Sequence, residues 1–180
     1  DPDTGGRFSL APEAAFTVER RYRPDSNVLE QVFETAEGRA RVTASLNSGI
    51  SGRLPWSELA LRVEGLSGRV AFALAIRVGR RLDRASPWRE PSPHGDVLHV
   101  DGVVCAFRAD DGVHRTVEHD GGIEARLATT PGSRAAMALL ASADEPLILP
   151  PLPEIDARID RSDRSWREWS ANLKVGGAYA

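Results

Sequence analysis

The chain has a single cysteine in 180 residues. Cys105 can close no disulfide within the chain, and no cysteine-based metal site can be built from it. It sits in Val103-Val104-Cys105-Ala106-Phe107, a strand-like context in which a buried, inert thiol is expected. Lysine is as scarce: Lys174 is the only one among 23 Lys and Arg. In a chain this rich in alanine and glycine, the arginine excess reads as compositional bias rather than a phosphate-binding device. No run of about 18 apolar residues occurs, so no spanning helix is expected. Charge of one sign is lacking too. A net charge of −3 leaves no electrostatic footprint for nucleic acid or an anionic membrane. No signal peptide precedes Asp1, and the first residues read as mid-protein sequence. A native N-terminus upstream of Asp1 and a cytoplasmic location are the expectations.

Catalytic signatures are also missing. No Gly-x-Ser-x-Gly elbow occurs, and Cys105 has no nearby basic residue placed to make a thiolate. Gly65-Leu66-Ser67-Gly68 follows one strand-like run and precedes another, so it does not form a phosphate cradle at a helix start. The histidines come as two pairs, His94 with His99 and His114 with His119. A spacing of five puts each pair on opposite faces of a strand, which favours solvated edge and loop histidines over metal ligands. Asp101, Asp110, Asp111, Glu118 and Asp120 fall mostly in turn sequences, where Asp suits the backbone and stays hydrated. A glycosidase pair, one carboxyl protonated and the other ionised, is not expected among them. No cofactor, metal or catalytic residue is expected.

What the chain does contain is alternation. Its length suits one domain with a proper core, and 41% hydrophobic with 27% charged residues is ordinary for a soluble globular protein. Val70, Phe72, Leu74, Ile76 and Val78 alternate with Ala71, Ala73, Ala75 and Arg77, as in a strand with one buried face. Shorter runs lie at 28–33, 40–46, 59–63, 97–100, 103–107, 113–117 and 123–127. Turn signals separate them at Glu37-Gly38, Asn47-Ser48-Gly49, Gly65 to Gly68, Asp101-Gly102, Asp111-Gly112 and Asp120-Gly121-Gly122. Residues 135–142 have helix-forming composition, but their position favours a final strand. Residues 84–96 hold three prolines and read as a long loop. The expected fold is all-β, an antiparallel β-sandwich over residues 1–142.

A proline-rich tether, 143–153, leads into residues 154–180, of which Glu154 to Leu173 are expected to form a helix. Ile155, Ile159, Trp166, Trp169 and Leu173 recur there at helical spacing. Little chain remains to cover this stripe, so it is expected to pack on a partner surface. The other two tryptophans, Trp56 and Trp88, are candidates for stacking on a sugar ring, with packing under a loop as the commoner fate of such rings.

Four segments, taken in order, resemble a known family. They are Tyr22-Arg23-Pro24-Asp25-Ser26-Asn27-Val28-Leu29-Glu30, Arg62-Val63-Glu64-Gly65-Leu66-Ser67-Gly68, Pro87-Trp88 and Trp166-Arg167-Glu168-Trp169. Together they look like the trehalase-like N-terminal domain of bacterial family 15 glycoside hydrolases, the glucoamylase, glucodextranase and trehalase group. The chain departs from that family at Ala44-Ser45, where an acidic and an aromatic residue are common. The resemblance implies a supersandwich-like β-sandwich joined by a helical linker to an (α/α)6 barrel, with 154–180 as the linker helix and the start of a catalytic domain missing from this chain. In that family the barrel carries the chemistry, an inverting attack of water on an α-glucosidic bond with two glutamates as acid and base. Neither glutamate maps onto this chain. The expectation is a non-catalytic module that supports such a barrel. Two alternatives stand beside it. One is a carbohydrate-binding module that stacks α-glucans on Trp56 or Trp88. The other is a domain that self-associates as a homodimer through Ile155, Ile159, Trp166 and Trp169, the same stripe folding back on the sandwich if it does not.

Overall fold

The computed structural model of the chain describes residues 4–48, 54–80, 84–117, 122–143 and 145–173. In chain order the strands are β1 (Arg7–Pro12), β2 (Phe16–Tyr22), β3 (Leu29–Thr35), β4 (Gly38–Leu46), β5 (Ser57–Gly68), β6 (Val70–Arg77), β7 (Trp88–Glu90), β8 (Val97–Val100), β9 (Val103–Ala109), β10 (His114–Val117), β11 (Ile123–Thr129) and β12 (Arg134–Ser142). One helix follows, α1 (Leu152–Ala171). A small sheet has the order β1-β6-β11-β10, and a large one the order β2-β3-β4-β5-β12-β9-β8-β7. Every pairing is antiparallel. The all-β sandwich expected from the alternation is what forms.

The two sheets enclose the main core. Val70, Phe72, Leu74 and Ile76 of β6 face Phe33, Val42, Leu61, Val63 and Met137 of the large sheet. Phe33 and Phe72 meet edge to face, with centroids 5.5 Å apart, the geometry that aromatic quadrupoles favour. The large sheet is covered on its other face as well. Val28, Ala60, Ala138 and Leu140 meet Ile155 and Ile159 of α1. The molecule thus has three layers: small sheet, large sheet and helix.

Several expectations need correction. The apolar stripe of α1 is not left uncovered along its length, because Ile155 and Ile159 are fully buried by the chain's own sheet. The helix begins at Leu152, inside the expected tether. Pro153 is tolerated there because the first turn leaves its N–H groups without helical acceptors anyway. Gly65 to Gly68 is not a turn, since β5 runs through to Gly68 with a register shift opposite Arg39/Ala40. Gly65 is needed because a Cβ there would lie 2.0 Å from the Thr130 carbonyl oxygen. Only after Gly68, at φ +58°, does the chain reverse into β6. The proline-rich loop contains β7, whose Trp88, Arg89 and Glu90 pair with His99, Leu98 and Val97. Strands β1 and β2 precede the first run recognised by alternation. Residues 135–142 do form the expected strand, β12, which lies between β5 and β9.

Candidate functional site

The helix presents acids and bases on the face that also carries Ile155 and Ile159. Asp156, Asp160 and Asp163 recur at helical spacing, so all three point toward the sheet. Arg62 of β5 answers the first two. Its Nε donates to Asp156 Oδ1 at 2.6 Å, and its terminal nitrogens donate to Asp160 Oδ1 and Oδ2 at 3.0 and 2.8 Å and to the Asp156 carbonyl at 2.9 Å. Arg134 of β12 donates to the other Asp156 oxygen. Arg23, just past β2, donates to Glu30 at 3.1 Å and to Asp163 at 3.2 Å. Arg167 reaches the same Asp163 oxygen one helical turn on, at 2.8 Å.

These contacts shift the charges in predictable directions. Burial lowers the basicity of Arg62, but hydrogen bonds and attraction from Asp160 and Asp156 outweigh it and leave the group more basic than an ordinary arginine. Arg23 follows the same pattern through Glu30 and Asp163. Hydrogen bonding from Arg62 holds the Asp160 carboxyl below the usual carboxylate range, against the opposing effect of burial. Each of these groups is therefore fixed in its charged form, as a docking clamp requires.

Among the described residues the most enclosed ion pair is Glu58 with Arg158. Their side chains are 0% and 4% exposed. Arg158 donates to Glu58 Oε2 at 2.6 Å and to Glu154, one turn back, at 2.6 Å. Trp56 Nε1 donates to Glu58 Oε2 at 3.1 Å, and Asn47 Nδ2 donates to Glu58 Oε1 at 2.8 Å. Asn47 Nδ2 also donates to the Ile155 carbonyl at 3.0 Å. The Arg158 guanidinium lies 5.7 Å from the centroid of the Trp56 ring, within cation–π range. Beside this cluster Ser48 donates its backbone N–H to Ser162 Oγ at 2.9 Å.

Next to the clamp lies a groove of about 830 Å³, with Trp56 on one wall and Trp166 on another. Asn27, Asn47, Ser48 and Glu58 contribute polar edges to it. Past Asp163 no residue of α1 is buried. Trp166 and Trp169 meet edge to face at 5.6 Å, and Trp169 is 57% exposed. Of the expected interface set, then, Ile155 and Ile159 are closed to a partner while the helix is docked. Trp166 and Trp169 remain accessible.

Trp88 is half exposed at the far edge of the large sheet. It stacks on His99 with centroids 4.0 Å apart and planes 5° from parallel, and His99 Nε2 lies 2.8 Å from Glu90 Oε2. It does not share the groove with Trp56. Asp110 Oδ2 accepts the Ala136 N–H at 2.6 Å, a structural task that ties a turn to β12. Asp101 occupies a positive-φ turn position. Glu118, Asp120 and His119 lie outside the described residues. Among the described residues no three His, Cys, Asp or Glu side chains converge on a metal position. Cys105 is buried, and burial pushes its thiol up to about 11; it stays protonated near neutrality.

The clamp itself escaped sequence reasoning. Asp156, Asp160 and Asp163 share the period of the apolar stripe, and that coincidence was the available signal. Their partners Arg62 and Arg23 are 94 to 140 residues away, so no local pattern could name them. Compared with known proteins, the chain matches no family model and no curated protein. No helix among the described residues is long and apolar enough to cross a membrane.

Proposed function

We propose that this chain is the non-catalytic N-terminal module of an inverting α-glucoside hydrolase of the family 15 type, a support for a catalytic (α/α)6 barrel. The observation that carries this reading is the clamp between α1 and the large sheet. It fixes the direction in which the helix leaves the sandwich and keeps Trp169, 57% exposed, on the outer turns. A module that positions a following domain needs that kind of fixed exit, and an isolated enzyme does not. One of the two carboxylates that line the groove among the described residues is also unsuited to catalysis. Glu58 accepts from Asn47 on one oxygen and from Trp56 and Arg158 on the other, so neither oxygen is left to relay a proton.

The test is direct. The purified chain should release no glucose from trehalose, maltose or dextran oligomers. Glucose release that disappears in a Glu58→Gln variant would overturn the reading, because it would place the chemistry inside the sandwich and helix.

A further inference from the structure

The groove between Trp56 and Trp166 has a lining whose chemistry selects its ligand, and the geometry points to a binding site for a neutral oligosaccharide. This inference does not rest on the hydrolase reading. It concerns a surface that supporting a second domain leaves unexplained.

Charge narrows the choice first. The charged side chains among the described lining residues are Glu58 and Glu145, with no basic one. Glu58 is neutralised locally by Arg158 at 2.6 Å, whereas Glu145 is exposed. Among those described residues a phosphate, carboxylate or nucleic acid would find no cation to receive it. An anionic ligand is disfavoured.

Shape and polarity narrow it further. Two indole rings line the same groove. Trp56 is fixed by its N–H bond to Glu58 and by Arg158 near its ring. Trp166 packs edge to face with Trp169 one turn on. A ring already ordered loses little rotamer freedom on binding, so its contact area is not offset by ordering entropy. A purely apolar guest is poorly matched, because amides and hydroxyls edge the groove. Asn27 is exposed there. Asn47 is 8% exposed, has both amide hydrogens engaged, and keeps a buried Oδ1 with no hydrogen-bond partner. That oxygen is closed off from the groove, so polar contacts to a ligand fall to exposed rim groups such as Asn27. A sugar supplies what this lining lacks: hydroxyl donors around its rim, and C–H faces that lie flat on indole. The volume also falls within the range of about 300–1,000 Å³ typical of small-molecule sites.

The experiment is a titration of the intact chain with maltotriose, cellotriose and trigalacturonate, followed by calorimetry and tryptophan fluorescence. At least one neutral trisaccharide should bind in the millimolar range or tighter, and trigalacturonate more weakly. Trp166→Ala should weaken that binding about tenfold, a difference of ~1.4 kcal/mol. Asn27→Ala, an exposed change that leaves the core intact, should weaken it measurably, and Trp88→Ala should leave it unchanged. Melting curves confirm that each variant is folded. The inference is overturned by no response to millimolar neutral sugar, by tighter binding of trigalacturonate, or by binding unchanged in both Trp166→Ala and Asn27→Ala. Glucose release and sugar binding are separate readouts, so either proposal can fail without the other.

Discussion

The large sheet is covered on both faces, and the two covers are made differently. On one face β6 and its neighbours lay Phe72, Leu74 and Ile76 against Phe33, Val63 and Met137, an apolar contact with no charged member. On the other, α1 seats two isoleucines on alanines and surrounds them with arginine–carboxylate pairs. Burying apolar surface is non-directional and tolerates small shifts. A bidentate arginine pair accepts one orientation. The inner face thus holds the sandwich together, while the outer face decides where the helix points.

The largest effects should come from deletions at the centre of each face. Phe72→Ala and Arg158→Ala are each expected to lower stability by about 3–5 kcal/mol, the first by opening a cavity and the second by stranding Glu58 without its charge partner. Urea titration measures both. The comparison breaks at the rescue step. Adding Glu58→Met to an Arg158→Met variant should recover most of the loss, whereas no single partner change should rescue Phe72→Ala. If Arg158→Ala alone costs under about 1 kcal/mol, the outer face is not a clamp.

A smaller effect should appear with acid. Asp160 has its carboxyl lowered chiefly by the hydrogen bonds from Arg62. A group depressed in the folded state stabilises above its unfolded value, about 3.9, and loses that contribution as pH falls through the lower folded value. Helix docking should therefore weaken below about pH 4, while the inner face, whose described core members include no carboxylate or histidine, is unaffected. Tryptophan emission followed from pH 6 to pH 2 should report the change. Asp160→Asn should remove that part of the dependence, and an identical acid profile in the variant would assign the transition elsewhere. The smallest effect is expected outside both covers. Arg126 pairs with Glu13 at 2.8 Å on the open surface of the small sheet, and Arg126→Ala should change stability by no more than about 1 kcal/mol. A larger loss in thermal melting would show that surface pairs matter here as much as the clamp.

These two faces also explain what could be read in the sequence. Period-two alternation marked β6 and β11 because each has one wet and one dry face, as the strict alternation of Ile123 to Thr129 shows. It failed for β2, whose residues are almost all exposed at a sheet edge, so no apolar face is needed. It was ambiguous for β12, where Met137, Ala138 and Leu140 are all buried. A strand covered on both sides reads as a continuous apolar run with no period of its own. The helix was legible from Ile155 and Ile159, but the acids between them carried no sign of the partners the fold would bring. The groove was half visible. Trp56 stood out as a flat ring, yet its neighbour Trp166 arrives from the far end of the chain, and only the docked helix brings them to one surface.

The Asn47 bond to the Ile155 carbonyl has a consequence for how this helix can evolve. That contact reads a main-chain atom, so it indexes the helix by count rather than by side-chain identity. Ile155 and Ile159 are followed at the next turn by Asp163, and a helix displaced by one turn would press that acid onto Ala60 and Ala138. The position is keyed, like a ratchet with a single tooth cut away. An inserted residue after Asp163 would leave the docked part seated but swing the Trp166–Trp169 pair about 100° around the axis. In that outer stretch a substitution alters one side chain, whereas a change of length re-aims every residue beyond it.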